Sequence, residues 1–355
     1  MDFSNRRARL IARLPELEVQ AFFVNHLPNV RYLTGFSGSN GQLVLTAEGG
    51  IFLTDGRYGE QSRREVADLE RRIYMGDFVP VWSKACTDLR VRRIAFEAAS
   101  VTYKLHTELA QAGPDLVATD GVVERLRWVK DADEIERLNR AQAIADQAFQ
   151  AITGKLLEGV TEREAALELD VTMRQLGAEG LAFDTIMAFG ESAAEPHHEP
   201  ADRPLRHGDI VKIDFGCVVD GYHSDMTRTL AFGEPHPDLP RIYELVRRAQ
   251  QAGVDAVRAG VTGGAVDDVV RGIIAEAGFG EQFRHGLGHG LGLEIHEGPS
   301  LRSGGSDVLP EGAVVTVEPG VYLPGVGGVR IEDMVEVLAA GSRVIPATPK
   351  DLITL

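Results

Sequence analysis

The chain has 355 residues, of which 44 % are hydrophobic and 25 % charged, a balance typical of globular proteins and a length sufficient for two domains. A formal net charge of -16 and a sequence pI near 5.1 argue against a nucleic-acid-binding surface, and no apolar run approaches the roughly 20 residues of a membrane span. Two cysteines, Cys86 and Cys217, are too few for a disulfide framework. Together with a basic amphipathic start, MDFSNRRARLIARL, that lacks a signal peptide's long apolar core, they lead to the expectation of a cytoplasmic protein.

Residues 1–127 are expected to form an α/β domain. Strands are predicted at 19–24, 42–46, 50–54, 72–74 and 93–97, with Glu48-Gly49-Gly50 as a hairpin turn. Helices are predicted near 6–14, 58–67 and 103–112. Arg57, in TDGRYGEQ, directly follows a strand and a turn, a position at which most arginines are solvated.

The second domain is placed at 128–355. Its opening segment, DADEIERLNRAQAIADQAFQAI, begins with aspartates suited to N-capping and to the helix dipole. Ile135, Leu138, Ala141, Ile144, Ala145, Ala148 and Ile152 then recur at helical spacing. Thr161 with Glu164 forms a capping-box pattern for a helix over 162–176, and further helices fit 240–259 and 264–277. Helices alternate with two long β segments, 209–230 and 313–338, the second broken by turns. That order predicts α+β architecture with antiparallel strands, not a doubly wound parallel sheet. No short-period repeat or low-complexity tract stands out.

The stretch DIVKIDFGCVVDGYHSDMTRTL, Asp209 to Leu230, reads as two strands around Asp220-Gly221, the dipeptide favoured in a type I′ turn. That turn sets Gly216 opposite Asp225, and Asp214 on the same face of the ribbon. The two aspartates become diagonal neighbours, roughly 7–8 Å apart at Cβ or somewhat less, which leaves space for a metal ion. The apolar residues on both faces of the first strand make it a buried one, and buried acids need a counter-charge.

Three further segments are chemically unusual for their setting. RHGLGHGLGLEIHE carries His285, His289 and His296 among glycines that permit close approach of a ligand. AVVTVEPGVY ends an apolar strand on Glu318, just before a Pro-Gly turn. GGVRIEDMVEVL alternates with period two, which puts Arg330, Glu332, Met334 and Glu336 on one face. Arg330 beside Glu332 also reads as a surface ion pair of little energetic weight, and pattern alone does not separate Glu332 from Asp333. Oxygen donors with one imidazole suit manganese or magnesium, and the imidazole also admits zinc, cobalt or iron. A two-metal site requires carboxylates able to bridge ions about 3.5–4 Å apart.

At these residues the chain resembles the pita-bread-fold metallopeptidases, and among them the Xaa-Pro peptidases, aminopeptidase P and prolidase. YLTGFSGSNG and TDGRYGEQ resemble that family's N-terminal domain. The spacing of eleven residues from Asp214 to Asp225 and fourteen from Glu318 to Glu332, with His289 between the pairs, also matches the family.

The resemblance implies a C-terminal pita-bread catalytic domain behind a smaller α/β domain. It implies two divalent ions, manganese first and zinc or cobalt as alternatives, held by Asp214, Asp225, His289, Glu318 and Glu332. Asp225 and Glu332 would bridge, and Glu318 would double as general base. His197 matches a histidine near the substrate carbonyl, and His296 one that stabilises the tetrahedral intermediate. His285, Tyr322 and Arg330 match positions that line the proline side or support the metal site, and Phe183 and Ile295 match apolar walls for the proline ring. Arg57 matches an arginine of the N-terminal domain that influences chain-length selection. The expected substrates are short proline-containing peptides, and the expected assembly is a homodimer without nucleic-acid or membrane partners. The alternative is a non-catalytic peptide- or protein-binding module on the same fold, although such relatives lose ligand positions that this chain fills.

Overall fold

Residues 1–355 are described by a computed structural model, in which the chain divides into two units, Met1–Arg127 and Trp128–Leu355. In the first unit, strand Ala21–Val24 (AFFV) is buried at every position, and a strand apolar on both faces belongs inside a sheet covered on both sides. It lies within a six-stranded sheet of order Glu70–Tyr74, Gly49–Asp55, Gln42–Thr46, Ala21–Val24, Arg93–Glu97, Asp115–Thr119. It pairs antiparallel with Gln42–Thr46 and parallel with Arg93–Glu97. Phe23 meets Trp82 edge-on at 5.9 Å between ring centroids.

Two local expectations change in this unit. Thr46 pairs with Gly49, so the hairpin loop is Ala47-Glu48, and Gly49 already belongs to the strand. The strand Asp115–Thr119 and the helices Leu27–Thr34 and Phe78–Asp88 were not expected. The strand is nowhere fully buried, so it carries no apolar alternation, and Pro28 in the first turn of Leu27–Thr34 reads locally as a turn, although proline is tolerated there.

The second unit is α+β, and its strand ladders are antiparallel. It consists of two similar halves. In the first, helices Ala132–Thr153 and Glu162–Gln175, both opened by capping boxes, pack on a sheet of order Met226–Ala231, Ile210–Phe215, Ile186–Phe189. Phe149 stacks on Phe215 in that core. In the second, helices Asp238–Ala256 and Gly263–Glu276 share a core with Val315, Val317, Val335 and Val337. These valines belong to a five-stranded sheet of order Glu297–Leu301, Gly288–Gly290, Val314–Val317, Asp333–Leu338, Gly341–Val344.

The duplication extends to sequence. Gly159-Val160-Thr161 and Gly260-Val261-Thr262 each precede the second helix of a pair. Gly159 N donates to Leu205 O and Leu205 N to Val160 O, while Gly260 N donates to Leu309 O and Leu309 N to Val261 O.

The Asp209–Leu230 ribbon has the anticipated register. Val219 pairs with Tyr222, Met226 with Phe215, and Thr227 with Asp214. Asp220 and Gly221 both have positive φ, 50° and 80°, as a type I′ turn requires. The ladder is interrupted at Gly216, where a Cβ would come within 1.9 Å of Ser224 O. There the ribbon passes from one three-stranded sheet to another. The segment 313–338 is likewise interrupted: Gly320–Leu323 and Gly327–Arg330 form a separate two-stranded sheet.

Candidate active site

The acids sit at these interruptions. Asp214 is the penultimate residue of Ile210–Phe215, and Asp225 precedes Met226–Ala231. Glu318 separates Val314–Val317 from Gly320–Leu323, and Glu332 separates Gly327–Arg330 from Asp333–Leu338. Where a strand leaves its sheet, a side chain is released from the pleated face and can turn toward a cavity. His289 comes from the short strand Gly288–Gly290. All five converge on a cavity of about 440 Å³.

His289 Nε2 lies 3.6 Å from Asp225 Oδ2 and 3.5 Å from Glu318 Oε1. Ligand atoms of Asp225, His289 and Glu332 all fall within 4.8 Å of one another. His289 Nδ1 lies 3.0 Å from Gly290 O, and a carbonyl only accepts, so that nitrogen carries the proton and Nε2 presents a lone pair. Two threonines orient the acids. Thr227 Oγ1 donates to Glu332 Oε2 at 2.7 Å and accepts from Arg330 Nε at 3.0 Å. Thr316 Oγ1 donates to Glu318 Oε1 at 3.2 Å and accepts from His289 N at 3.1 Å.

Asp214 makes an ion pair with Arg330 through Oδ2, whereas its Oδ1 is buried without a hydrogen-bond partner. A buried carboxylate oxygen without a partner is costly. A cation would satisfy it, and this donor set of carboxylates and one neutral imidazole fits a divalent metal.

Electrostatics point the same way. Burial, then Glu332 and Asp214, hold the Asp225 carboxyl well above its usual range. Burial, then Glu318 and Asp214, do the same to Glu332. Glu318 is pushed up to about 8 by burial, with Arg330 opposing and Asp214 adding to the rise. These groups hold protons in the native protein at pH values where an unfolded chain, with carboxyl pKa values near 4, has lost them. Their contribution to stability is complete below that value and is lost as pH rises, for Glu318 toward about 8 and for Asp225 and Glu332 in the same direction. The metal-stripped protein should therefore show an unfolding midpoint that falls between pH 5 and pH 8, and saturating divalent metal should remove that decline. A midpoint flat over this range without metal would show that the acids ionise together without a cation.

Of the other expected residues, Phe183, His197, His285, Ile295, His296 and Arg330 line the same cavity. The His289 and His296 rings meet edge-on at 4.3 Å, and burial, then His197, lowers the His296 pKa. Tyr322, buried behind the wall, joins a directed chain. Arg330 Nη1 donates to Tyr322 Oη at 2.9 Å, Tyr322 Oη lies 2.9 Å from His285 Nε2, and His285 Nδ1 lies 2.8 Å from Gly286 O. Gly286 O can only accept, so His285 Nδ1 carries the proton and Nε2 accepts from the tyrosine. Burial lowers His285 to about 4 and raises Tyr322 to about 12, so both are neutral at pH 7.

Arg330 is not a surface residue. It is 2 % exposed and pairs with Asp214 rather than Glu332, because the strand breaks after it and turns it inward. Arg57 belongs to the first unit, where its exposed guanidinium lies 2.8 Å from Asp55. The supporting Thr227 and Thr316 were not anticipated. Their signal is that each is a buried threonine two residues from an acid along one strand face.

Metallopeptidase family M24 matches residues 136–339, and the creatinase/prolidase N-terminal domain matches residues 6–129. The chain is 35 % identical to an Xaa-Pro dipeptidase of Pyrococcus horikoshii, over 99 % of this chain and 100 % of that protein. Among solved structures, an Xaa-Pro dipeptidase from Bacillus anthracis superposes with a TM-score of 0.97 at 38 % identity, covering 99 % of this chain and 100 % of that one. An X-Pro aminopeptidase from Thermotoga maritima gives 0.92 at 36 %, covering 98 % and 99 %. No helix is long and apolar enough to cross a membrane. The pita-bread architecture, the family match over the second unit and the whole-chain likeness to these enzymes together make the chain a member of metallopeptidase family M24, a divalent-metal-dependent peptidase with a creatinase/prolidase-type N-terminal domain.

Proposed function

We propose that the chain hydrolyses the bond between an N-terminal residue and a following proline, using two divalent ions held by Asp214, Asp225, His289, Glu318 and Glu332. Manganese is the proposed metal, with zinc or cobalt as substitutes. The observation that carries this reading is the convergence of four carboxylates and one neutral imidazole on a single cavity, one buried oxygen of Asp214 lacking any partner. When bound, the ions supply Lewis-acid polarisation and an activated water.

The protein's own groups divide the remaining work. Glu318, ionised when the ions are bound beside it, takes the proton of the attacking water and delivers it to the leaving proline nitrogen. His197 and His296, on the cavity wall, donate to the carbonyl oxygen as negative charge develops there. Proline brings no N–H to the scissile bond, so its recognition rests on shape. Phe183 and Ile295 supply the apolar wall for the ring, while the Arg330–Tyr322–His285 chain lines the proline side or supports the metal site. Residues 128–355 form the catalytic domain and residues 1–127 a separate α/β domain, from which Arg57 tunes the accepted peptide length. The protein works in the cytoplasm as a homodimer without nucleic-acid or membrane partners.

The test compares Ala-Pro with Ala-Pro-Ala, each with metal-stripped protein and after manganese is added. Manganese-dependent cleavage of Ala-Pro alone is the expected result for a dipeptidase, the reading favoured by similarity to the Bacillus anthracis enzyme. Preference for the tripeptide assigns aminopeptidase P. Failure on both substrates with every divalent metal would leave a binding module.

A further inference from the structure

One buried acid of the second unit has no place in the chemistry above. Glu162, the first residue of helix Glu162–Gln175, is fully buried and does not line the cavity. Its carboxylate grips the start and the middle of the segment joining strands Ile186–Phe189 and Ile210–Phe215. Oε1 accepts from Phe189 N at 2.8 Å, and Oε2 accepts from Ala201 N at 3.0 Å. The same Oε2 lies 2.8 Å from His198 Nε2, and His198 Nδ1 lies 2.8 Å from Glu195 Oε2. An imidazole between two carboxylates donates from both nitrogens only when it is protonated. Burial opposes that charge, but the bonds to Glu195 and Glu162 outweigh it and raise the His198 pKa.

Between these two points the segment is pinned by two basic side chains. Lys212 Nζ donates to the Glu195 carbonyl, and Arg330 Nη1 donates to the Pro196 carbonyl at 3.1 Å. His197, the next residue, is itself exposed and lines the cavity. Its position is set by its neighbours: carbonyls held on one side of it, and His198 locked to Glu162 on the other. Arg330 also holds Asp214, so segment and metal-binding wall share one anchor.

We propose that Glu162 and His198 are positioning residues for His197, a buried carboxylate–imidazolium clamp that holds the His197 segment against the cavity and so governs kcat. The inference rests on the proposed role of His197 at the substrate carbonyl. Glu162 does not line the cavity, whereas His198 does, so the Glu162 variant is the one that reads positioning without a substrate contact.

The experiment is a double-mutant cycle with Ala-Pro, or with whichever of the two peptides is cleaved, in the manganese-loaded full chain. Glu162→Gln is expected to lower kcat about 10- to 100-fold with KM changed less than about threefold and manganese stoichiometry unchanged. In a His197→Ala background the same substitution should cost less than about twofold, because the group it positions is gone. His198→Gln, at a site that retains some solvent exposure, repeats the cycle should Glu162→Gln fail to fold. Independent, multiplicative losses in the double variants would overturn the clamp, as would wild-type kcat in both single variants. If His197→Ala itself turns over normally, the clamp falls together with the role given to His197. A large His197→Ala effect with multiplicative losses leaves that role standing and removes the clamp alone.

Discussion

Glu318→Gln is expected to lower kcat on an Xaa-Pro peptide by about a thousandfold, within the 10²–10⁴ range of a lost general base, while the protein remains folded. The amide fills the space of the carboxylate and can accept the Thr316 hydroxyl bond, now 3.2 Å, but it cannot take up and return a proton. Folding should survive because the wild-type carboxyl, raised to about 8, is already neutral in the metal-free native protein at pH 7. Kinetics under manganese, with thermal unfolding of the same sample, check both halves of the expectation. Turnover near wild type would remove Glu318 from its role, and a collapsed unfolding midpoint would make its contribution structural.

The second large effect concerns stability. Arg228→Met should destabilise the protein by about 3–5 kcal/mol, because it strips donors from several buried carbonyls at about 1–3 kcal/mol each. Arg228 is 2 % exposed and Asp333 fully buried. The guanidinium donates to Asp333 Oδ1 at 2.8 Å and to the carbonyls of Thr227, Glu332, Thr348 and Pro349. Burial alone would raise the Asp333 pKa, but Arg228 and Lys350 hold it below the usual range. Methionine keeps the volume and removes every donor. Lys350 Nζ at 2.8 Å and Gln250 Nε2 at 2.9 Å still reach Asp333, and the Thr227 carbonyl still accepts from Glu332 N at 3.1 Å, but the carbonyls of Glu332, Thr348 and Pro349 lose the guanidinium as donor. Urea unfolding in the presence of metal measures the loss. A change below about 1 kcal/mol would mean that water enters and satisfies them. Two of the carbonyls that Arg228 holds belong to Glu332, a proposed metal ligand, and to Thr227, which bonds its side chain, so weaker metal retention should accompany the lost stability.

Much of this architecture was legible because local chemistry and global fold agree. The Asp-Gly turn at 220–221 sets the ribbon register, and that register alone makes Asp214 and Asp225 neighbours. The helix starts at Asp131 and Thr161 were visible, the first as N-capping aspartates and the second as a capping box, and the structure has capping boxes at both. Period-two patterning could not show that the strand holding Arg330 stops before Glu332, because the apolar alternation runs on across the break. Nor could it find the clamp on Glu162: a glutamate in a first helical turn is the commonest choice for dipole and cap, and only tertiary structure shows this one turned inward. The halves escaped notice for a similar reason. They are related by arrangement and by GVT at 159–161 and 260–262, a period too long and an identity too sparse to register as a repeat.

The two-half construction also bears on how the protein is made. Asp214 and Asp225 belong to the half that leaves the ribosome first, whereas His289, Glu318 and Glu332 belong to the half that follows. A nascent chain with only its earlier half folded therefore holds two of the five expected ligands and lacks Arg330, the cation that balances Asp214. On the proposed ligand set, tight metal capture waits for the later half to dock, and metal uptake becomes a late event of biosynthesis that reports that both halves have met.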